Sequence, residues 1–525
     1  MLGLTPPPPL PALYQLAVAN GSAPFAGDRR LLTTISPNGD GFRDAAVVRF
    51  RLTRPAHVQM QAVRTDTVRL GRPAATAVWT RSSTLSAGPH VLEWRPATST
   101  PPRTYILRLT LRNVRGGKAR VYGVYAARGR VNAPVVRVQG VEAGFAEASY
   151  APGETAEVTI STDALGLSAQ VFAYGNWFRP TERDLRSGGE AMTAPVRIDW
   201  RSHRDAPTRV RLVRAGNWPS GLYFLRLIAS DGRIGYAPFI VRPRVLGATA
   251  RVAVVLSTNT WQAYNFRDAD GDGWGDSWYV SARIQSIDST RPFLDFGVPF
   301  RFGDWDLTFI AWLAATAKRV EFLSDHDLER VQTGDDLARR YDLVVFPGHE
   351  EYTTAHAYDV VQQYRDAGGN LIFLSANNFF WEVRRAGPLV TKTALWRDLG
   401  RPEAALVGVQ YAGSNHGGGQ KPYVIEGADA VPWAFEGIGV SNGSTFGGSY
   451  GIEIDARAPA SPPGLVVLAR VPDVLGPERS GEMTYYETPS GARVFAAGTL
   501  NFAATLDRPD VSRLVDNVWH RLASR

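Results

Sequence analysis

A run of four apolar residues near the middle of the chain, Leu343–Phe346, constrains the fold most. It lies between Asp342 and the dipeptide Pro347-Gly348, and such a short apolar run is typical of a strand that is buried on both faces. Strands of this kind occur inside parallel sheets, where ligands bind in the crevice at the carboxyl ends of the strands. We therefore expect residues 349–351, which are all ionisable, to lie at a site. A polar loop that only caps the strand is the alternative.

Strands and helices alternate from about residue 245 onwards. Apolar runs predict strands at 253–256, 320–323, 343–346, 370–374 and 494–498, and helical spacing predicts helices at 307–317, 354–367 and 511–522. Such alternation indicates βαβ units and a parallel sheet. The sequence therefore predicts an α/β domain over residues 245–525.

The first half of the chain follows a different pattern. Short runs in which apolar and polar residues alternate, such as 46–52 and 221–227, are separated by turn residues. This period of two predicts half-buried strands, and regular spacing of such strands predicts β-sandwiches. We expect two Ig-like sandwiches over residues 31–132 and 133–244. Residues 1–30, which begin Pro-rich, are expected to be a linker or a disordered arm.

The segment 36–44, SPNGDGFRD, opens the first predicted sandwich. It resembles the opening of the Ig-like domain of the flagellar hook-capping protein, a module attached to many exported bacterial proteins. The resemblance implies an extracellular or cell-surface protein, although the first residues contain no recognisable signal peptide. Oxygen atoms of Asn38, Asp40 and Asp44 offer ligands for Ca²⁺, and an Asx-rich turn is the alternative.

Composition excludes several classes of site and partner. The chain has no cysteine, so a cysteine nucleophile, a thiolate metal site and a disulfide are excluded. The formal charge of +8 comes mainly from dispersed arginines, with only four lysines. No basic run indicates a nucleic-acid partner. No apolar run of about 18 residues indicates a membrane span.

An aspartate-rich segment follows the first predicted strand of the α/β domain. Asp268, Asp270, Asp272 and Asp276 occupy positions 1, 3, 5 and 9 of a pattern that matches most of an EF-hand calcium loop. Tyr279 stands where that loop has its bidentate glutamate. The sequence thus predicts either bound Ca²⁺ or a solvated surface loop.

Four motifs identify the region from about residue 250 as resembling the C-terminal domain of the N,N-dimethylformamidase large subunit. They are NTWQAYN at 259–265, FPGHEEY at 346–352, GGNLIFLSANNFFWEVR at 368–384 and ETPSGARVFAAGT at 487–499. The resemblance implies an α/β fold like that of class I glutamine amidotransferases, without their catalytic cysteine. It also implies hydrolysis of a C–N bond in a small amide substrate.

The resemblance further implies an iron ion, Fe³⁺, held by one glutamate and two tyrosinates. By motif, the glutamate is Glu351 and one tyrosine is Tyr264. The second tyrosine is expected in an Arg-Pro-Tyr element, which here ends in Phe293, so Tyr279 is the candidate replacement. Supporting catalytic roles fall on three residues: His349, Asn377 and Glu487. The alternative is a non-catalytic cell-surface or carbohydrate-binding protein that retains the fold with a degraded metal site.

Overall fold

A computed structural model of the chain describes residues 9–21, 29–69, 72–124, 132–174, 189–204, 206–268, 275–279 and 284–524. The chain is multidomain. Two β-rich domains precede a C-terminal domain that contains most of the helices. None of the helices in the described ranges has the length and hydrophobicity needed to cross a membrane.

The described residues of the first β-rich domain form nine strands: β1 (Leu13–Ala19), β2 (Leu32–Ile35), β3 (Ala46–Leu52), β4 (Ala56–Arg69), β5 (Arg72–Leu85), β6 (Gly88–Trp94), β7 (Thr104–Asn113), β8 (Ala119–Tyr122) and β9 (Val135–Val138). One sheet has the order β1-β3-β6, and the other has the order β2-β9-β7-β4-β5 with β8 beside β7. Both sheets contribute to one hydrophobic core around Trp94 and Tyr105. The period-two pattern therefore placed β3 correctly, whereas the Ig-like identity of the domain stays a prediction.

Strand β1 corrects the expectation for the N-terminal segment. Residues 13–19 pair antiparallel with β3, and the side chains of Leu16 and Val18 are buried in the core. The prediction of a linker or disordered arm over residues 1–30 is therefore wrong for this strand. Its sequence, LYQLAVA, carries enough apolar residues on one face to join a sheet.

In the second β-rich domain, the part of the chain that the structure describes also forms nine strands: β10 (Glu142–Phe145), β11 (Ser149–Tyr150), β12 (Thr155–Ser161), β13 (Gly166–Ala173), β14 (Glu190–Ala191), β15 (Val196–Asp199), β16 (Thr208–Arg214), β17 (Gly221–Ala229) and β18 (Ile234–Val241). They form a sheet of order β10-β12-β16 and a sheet of order β11-β18-β17-β13-β14, with β15 beside β13. Trp200, Phe239 and Leu227 are buried between them.

The SPNGDGFRD loop of the first β-rich domain contacts the second β-rich domain. The Ser36 hydroxyl donates to Asp163 at 2.6 Å, and the Arg233 guanidinium contacts both residues at 2.6 Å. Within the loop, the two carboxylate oxygens of Asp44 accept the backbone N–H groups of Gly39 and Gly41. These oxygens are thus used to hold the turn, which favours the Asx-turn interpretation over Ca²⁺ binding.

Outside residues 269–274, 280–283 and 525, the C-terminal domain contains fifteen strands: β19 (Val252–Leu256), β20 (Ser286–Asp288), β21 (Glu321–Ser324), β22 (Leu343–Phe346), β23 (Tyr352–Thr354), β24 (Asn370–Phe373), β25 (Trp381–Ala386), β26 (Leu389–Leu395), β27 (Gln410–Ser414), β28 (Lys421–Ile425), β29 (Thr445–Tyr450), β30 (Glu453–Ala456), β31 (Val466–Val471), β32 (Gly481–Glu487) and β33 (Arg493–Ala496). Its α-helices are α1 (Thr258–Ala263), α2 (Thr308–Ala315), α3 (Asp325–Leu328), α4 (Gly334–Arg340), α5 (Ala355–Asp366), α6 (Ala404–Val407) and α7 (Pro509–Ala523).

The central sheet of this domain has nine strands in the order β21-β19-β22-β24-β33-β32-β31-β28-β29. The first five strands are parallel to one another, and the remaining strands are antiparallel to their neighbours. Strand β22 is buried along its whole length, as its apolar run predicts. The parallel part places the ends of β19, β22, β24 and β33 along one edge of the sheet.

The second β-rich domain and the C-terminal domain share a hydrophobic core. Phe172, Phe224 and Tyr236 from the former belong to the same buried cluster as Val254 and Phe309 from the latter. The two backbones also approach closely, since a Cβ added to Gly297 would lie 1.8 Å from the carbonyl oxygen of Tyr236. These two domains therefore form one packed unit.

Candidate functional site

Three loops that follow neighbouring parallel strands bring the candidate residues together. Tyr264 follows β19 and the short helix α1, His349 and Glu351 follow β22, and Asn377 follows β24. Because β19, β22 and β24 are adjacent and parallel, their carboxyl ends meet at one edge of the sheet. All four side chains are at least nine-tenths buried there.

Tyr264, Glu351 and His349 form the centre of this cluster. The Tyr264 hydroxyl donates to Glu351 Oε2 at 2.5 Å and lies 3.2 Å from His349 Nε2. His349 Nδ1 lies 3.0 Å from the carbonyl oxygen of Ala376, which can only accept, so Nδ1 carries a hydrogen. Nε2 is therefore the nitrogen that faces the phenol and the carboxylate, and it is free to exchange a proton.

A second glutamate, Glu453 on β30, lies beside the cluster. Its Oε2 atom is 3.8 Å from His349 Nε2 and accepts a hydrogen bond from Asn377 Nδ2 at 3.0 Å. The backbone N–H of Asn377 donates to Asp455 at 2.8 Å, which holds Asn377 in the left-handed region at φ 59°. Leu500, just after β33, fixes Glu453 by donating its backbone N–H to the Glu453 carbonyl at 3.1 Å.

Sequence reasoning missed Glu453 and assigned its role to Glu487. Glu487 ends β32 and pairs with Arg493, the first residue of β33, whose backbone N–H donates to Asn370 at the start of β24. It therefore lies at the amino ends of the parallel strands, at the opposite edge from Asn377. Its side chain is about half exposed, at 51%. The prediction that Glu487 belongs to the site is wrong for this reason.

Several ionisable groups are buried together at the site, and each one shifts the pKa values of its neighbours. Burial, and then the charge of Glu351, raise the pKa of Tyr264 well above its usual value. Burial and the charge of Glu351 also raise the pKa of Glu453, whereas the charge of His349 lowers it. Burial alone would lower the pKa of His349, but Glu351 and Glu453 together raise it. The pKa values of Tyr264, His349 and Glu453 therefore depend on the charges of their neighbours.

The tyrosine that was proposed to replace the missing iron ligand does lie beside Tyr264. The ring centroids of Tyr264 and Tyr279 are 4.9 Å apart, and burial together with Glu453 raises the pKa of Tyr279 to about 12. Phe293 instead packs against the core shared with the second β-rich domain. Tyr352 is a further phenol at the site, and its pKa is raised by burial and by Glu351.

Within the described ranges, no group of three or more His, Asp or Glu side chains is arranged to hold a metal ion. The pair formed by Tyr264 and Glu351 differs from such groups because one donor is a phenol. Its two oxygen atoms lie 2.5 Å apart, and a hard cation can take the place of the phenol hydrogen between them. The donor set therefore fits an ion such as Fe³⁺.

The aspartate-rich loop is only partly described. Asp268 is buried, and Asp276 lies 3.9 Å from the guanidinium of Arg291. Asp270 and Asp272 lie outside the described residues. Arg291 holds the ends of the loop by donating to the carbonyl oxygens of Arg267 at 3.2 Å and Asp276 at 3.1 Å. Calcium binding by this loop stays a prediction.

A second group of buried acids includes Glu350, which lies in the HEEY segment at residues 349–352. Burial raises the pKa of Glu350 well above its usual value, and Asp325 and Asp306 raise it further. Asp306 lies in a π-helical turn, Gly303–Leu307, and accepts a hydrogen bond from the Trp261 indole at 3.1 Å. Burial raises the pKa of Asp306 to about 7, although the Trp261 bond and the His349 charge lower it.

Asp306 should make stability depend on pH. Because its folded pKa is raised, its contribution to stability is complete below about pH 4 and is lost as the pH rises through about 7. Asp306→Asn keeps an acceptor for Trp261 and cannot ionise. We expect the variant to gain on the order of 1–3 kcal/mol relative to the wild type between pH 4.5 and pH 8. Urea unfolding at both pH values measures this gain.

Asp366→Asn is the matched control, since Asp366 is 52% exposed and pairs with Arg365 at the surface. Its stability relative to the wild type should be the same at both pH values. An equal effect of Asp306→Asn at pH 4.5 and pH 8 would contradict the assignment of a protonated Asp306.

Comparison with known proteins shows which family this chain is similar to. The family model for the C-terminal region of proteins like the N,N-dimethylformamidase beta subunit matches residues 193–517. The chain is 25% identical over 408 residues to the N,N-dimethylformamidase beta subunit of an Alcaligenes species, covering 58% of this chain and 53% of that protein. It is 25% identical over 401 residues to the protein of the same name from Paracoccus aminophilus, covering 57% of this chain and 52% of that protein. The chain thus spans about half the length of these relatives.

Solved structures resemble the chain only distantly. An alpha-2-macroglobulin from Salmonella, reacted with methylamine, matches with a TM-score of 0.22 and 13% identity over 45% of this chain and 17% of that one. The mmIFT52 N-terminal domain matches with a TM-score of 0.23 and 12% identity, over 40% of this chain and 88% of that one. Likenesses at this level carry no argument about function.

The family match begins inside the second β-rich domain and covers more than half of the chain. Tyr264, His349, Glu351 and Asn377 all lie within it. The chain belongs to the family of proteins like the N,N-dimethylformamidase beta subunit, in their C-terminal region.

Proposed function

We propose that this chain is a metal-dependent hydrolase that cleaves the C–N bond of an amide, with iron as the metal. The observation that carries the proposal is the hydrogen-bonded pair of Tyr264 and Glu351, which lies beside His349 and Glu453 at the carboxyl edge of the parallel strands. The name of the two curated relatives supports an amide as the substrate class.

We also propose that the C-terminal domain has the fold of class I glutamine amidotransferases. Five adjacent parallel strands and a site at their carboxyl ends support this proposal. The chain has no cysteine, so the nucleophile of those enzymes is absent. The chemistry must therefore depend on the phenol, carboxylate, imidazole and amide groups described above.

In this proposal Tyr264 and Glu351 hold the metal, with Tyr279 as the further phenolate. The bound ion would supply Lewis acidity, which polarises an amide carbonyl or lowers the pKa of water. Glu453 and His349 are placed to move protons, because Glu453 Oε2 and His349 Nε2 are 3.8 Å apart and their pKa values are linked. Glu453 takes a proton from the attacking water, and His349 Nε2 delivers one to the departing amine.

Asn377 serves as the orienting group. Its Nδ2 atom donates to Glu453, and its Oδ1 atom is buried without a hydrogen-bond partner among the described residues. This carbonyl oxygen can accept a hydrogen bond from the substrate or from the attacking water. A buried acceptor left empty costs stability, which is commonly tolerated where a ligand satisfies it.

Elemental analysis of the purified protein, with an absorption spectrum beside it, tests the proposal directly. We expect close to one iron per chain and a visible absorption band from tyrosinate-to-iron charge transfer. A protein with neither iron nor colour, even after anaerobic loading with iron, would argue for the non-catalytic interpretation. Calcium alone would direct attention to the aspartate-rich loop.

A further inference from the structure

A crevice of about 1060 Å³ lies between the second β-rich domain and the C-terminal domain. Trp218 and Leu222 line it from the former, and Leu313 and Phe322 line it from the latter. Both of these walls belong to stretches of the chain that the structure describes without a break. The volume is close to the upper end of the range for small-molecule sites, about 300–1,000 Å³, and such sites are common at domain interfaces.

Contacts around the crevice hold its shape. The Ser220 hydroxyl accepts the backbone N–H of Phe322 at 2.8 Å, which joins the two walls. The Trp218 ring stacks on the ring of Tyr223, with 5.4 Å between the centroids and 19° between the planes. The Tyr223 hydroxyl in turn donates to the carbonyl oxygen of Pro219 at 2.7 Å. The crevice is therefore preformed, which lowers the entropic cost of binding a ligand.

The crevice also exposes apolar surface to water. Val245, in the segment that connects the two domains, lines the crevice and is 53% exposed. Trp218 is partly exposed as well, although its ring is held on Tyr223. A ligand with an apolar body would remove this surface from water, and the hydrophobic effect would favour its binding.

Two arginines that line the crevice carry a charge that no carboxylate pairs with among the described residues. Arg244 donates to the carbonyl oxygen of Pro152 at 2.6 Å, and Arg319 donates to that of Thr249 at 3.3 Å. Both side chains are exposed. A guanidinium that bonds only to a neutral carbonyl keeps its charge and its remaining N–H donors for a carboxylate.

The other charged residues that line the crevice do not cancel this charge. Arg242 pairs with Glu154 at 2.9 Å, and Lys318 pairs with Asp516 at 2.5 Å. Glu190 is the one acidic residue among the described lining residues. The crevice is therefore positive on balance, which complements an anion.

From its size, its apolar walls and its charge, we infer that the crevice binds a small anion with an apolar body, of the alkyl carboxylate class. The alkyl chain packs against the apolar walls, and the carboxylate pairs with Arg244 or Arg319. None of the described residues that line the crevice belongs to the candidate hydrolase site. The inference thus goes beyond the proposed function and does not depend on it.

Isothermal titration calorimetry on the full chain tests the inference with three probes below their micelle concentrations. Decanoate carries both an alkyl chain and a carboxylate, decyltrimethylammonium has the same chain with a positive charge, and acetate has the carboxylate alone. We expect decanoate to bind one site per chain, about tenfold or more tightly than decyltrimethylammonium, because charge-assisted hydrogen bonds are strong. Acetate should show no saturable binding.

Two variants locate the binding in the crevice. Ala314 lines it and is only partly buried, so Ala314→Trp fills space there and should weaken decanoate binding about tenfold. The double variant Arg244→Gln, Arg319→Gln should weaken decanoate binding about tenfold and leave the affinity for decyltrimethylammonium no lower. The matched control, Arg54→Gln with Arg115→Gln, removes the same charge from exposed positions of the first β-rich domain and should change neither affinity.

The absence of saturable decanoate binding would overturn the inference. Equal affinity for decanoate and decyltrimethylammonium would overturn it too, since the crevice would then not recognise an anion. An unchanged decanoate affinity in either crevice variant would also overturn it, because the ligand would then bind elsewhere or without the arginines. If Ala314→Trp does not fold, the double arginine variant decides, since both of its arginines are exposed.

Discussion

Glu351→Ala is expected to remove both bound iron and amide hydrolysis. Glu351 is the only carboxylate that accepts the Tyr264 hydroxyl among the described residues, and it lies 3.4 Å from His349 Nε2. Even the outer partners of metal ligands change metal affinity by about 10–100-fold when they are replaced. Loss of the carboxylate itself should therefore lower iron content to a small fraction of the wild-type value and lower kcat/KM by more than about 100-fold.

Glu351→Gln distinguishes this effect from damage to the fold. Glutamine has nearly the same shape and keeps an acceptor for Tyr264, but it carries no charge. We expect it to fold as the wild type does and still to lose iron and colour. Iron content and hydrolysis within twofold of the wild type in Glu351→Ala would require us to abandon the metal site.

The second large effect is expected at Glu453, which the structure places in the site instead of Glu487. Glu453→Gln should lower kcat by about 10²–10⁴-fold, the usual contribution of a general acid or base. Because the proposed mechanism uses Glu453 as a base, the rate should rise with pH through its pKa. Burial and Glu351 place that pKa above the usual carboxyl range. The acidic limb of the pH–rate profile should disappear in the variant.

Glu487→Gln is the matched control, since it makes the same chemical change at the opposite edge of the sheet. Glu487 contacts Tyr485 and Arg493 at the surface, so we expect less than a twofold change in kcat. If Glu487→Gln were as damaging as Glu453→Gln, the placement of the site at the carboxyl edge would be wrong. Steady-state kinetics of both variants with the same amide substrate measure the two values of kcat.

Much of the site could be predicted because it depends on local sequence and on one rule of sheet geometry. The apolar runs of β22 and β24 are short, continuous and bounded by turn residues, which fixes both strands. Side chains that directly follow neighbouring parallel strands must lie near one another. His349 and Asn377 follow a strand in this way, and Tyr264 follows β19 after the short helix α1.

The same rule contains the information that would have excluded Glu487. That residue precedes β33 instead of following it, so a parallel arrangement places it at the amino edge. Glu453 could not be placed in this way, because β30 is a short strand that pairs with β27 and reaches Thr499 only through a single bridge at Ile454. Its signal is the alternation in Ile452–Asp455, which puts Glu453 and Asp455 on one face.

The N-terminal error has a compositional cause. The prolines at 6–9 dominate the first residues and predict an extended arm, yet the seven residues of β1 form a complete strand. Composition averaged over thirty residues hides an element of that size. The pairing of β1 with β3 depends on an open sheet edge elsewhere in the chain, which no local pattern reveals.

The hydrophobic core shared by the second β-rich domain and the C-terminal domain limits how this protein can change in evolution. A domain attached by a linker can be lost, duplicated or exchanged by recombination without harm to its neighbour. Here such an exchange would uncover part of the buried cluster that contains Phe224 and Tyr236 from one domain and Val254 and Phe309 from the other. Separating the two domains would therefore cost stability. The first domain, held through polar contacts around Arg233, is the part of the chain that recombination can replace most readily.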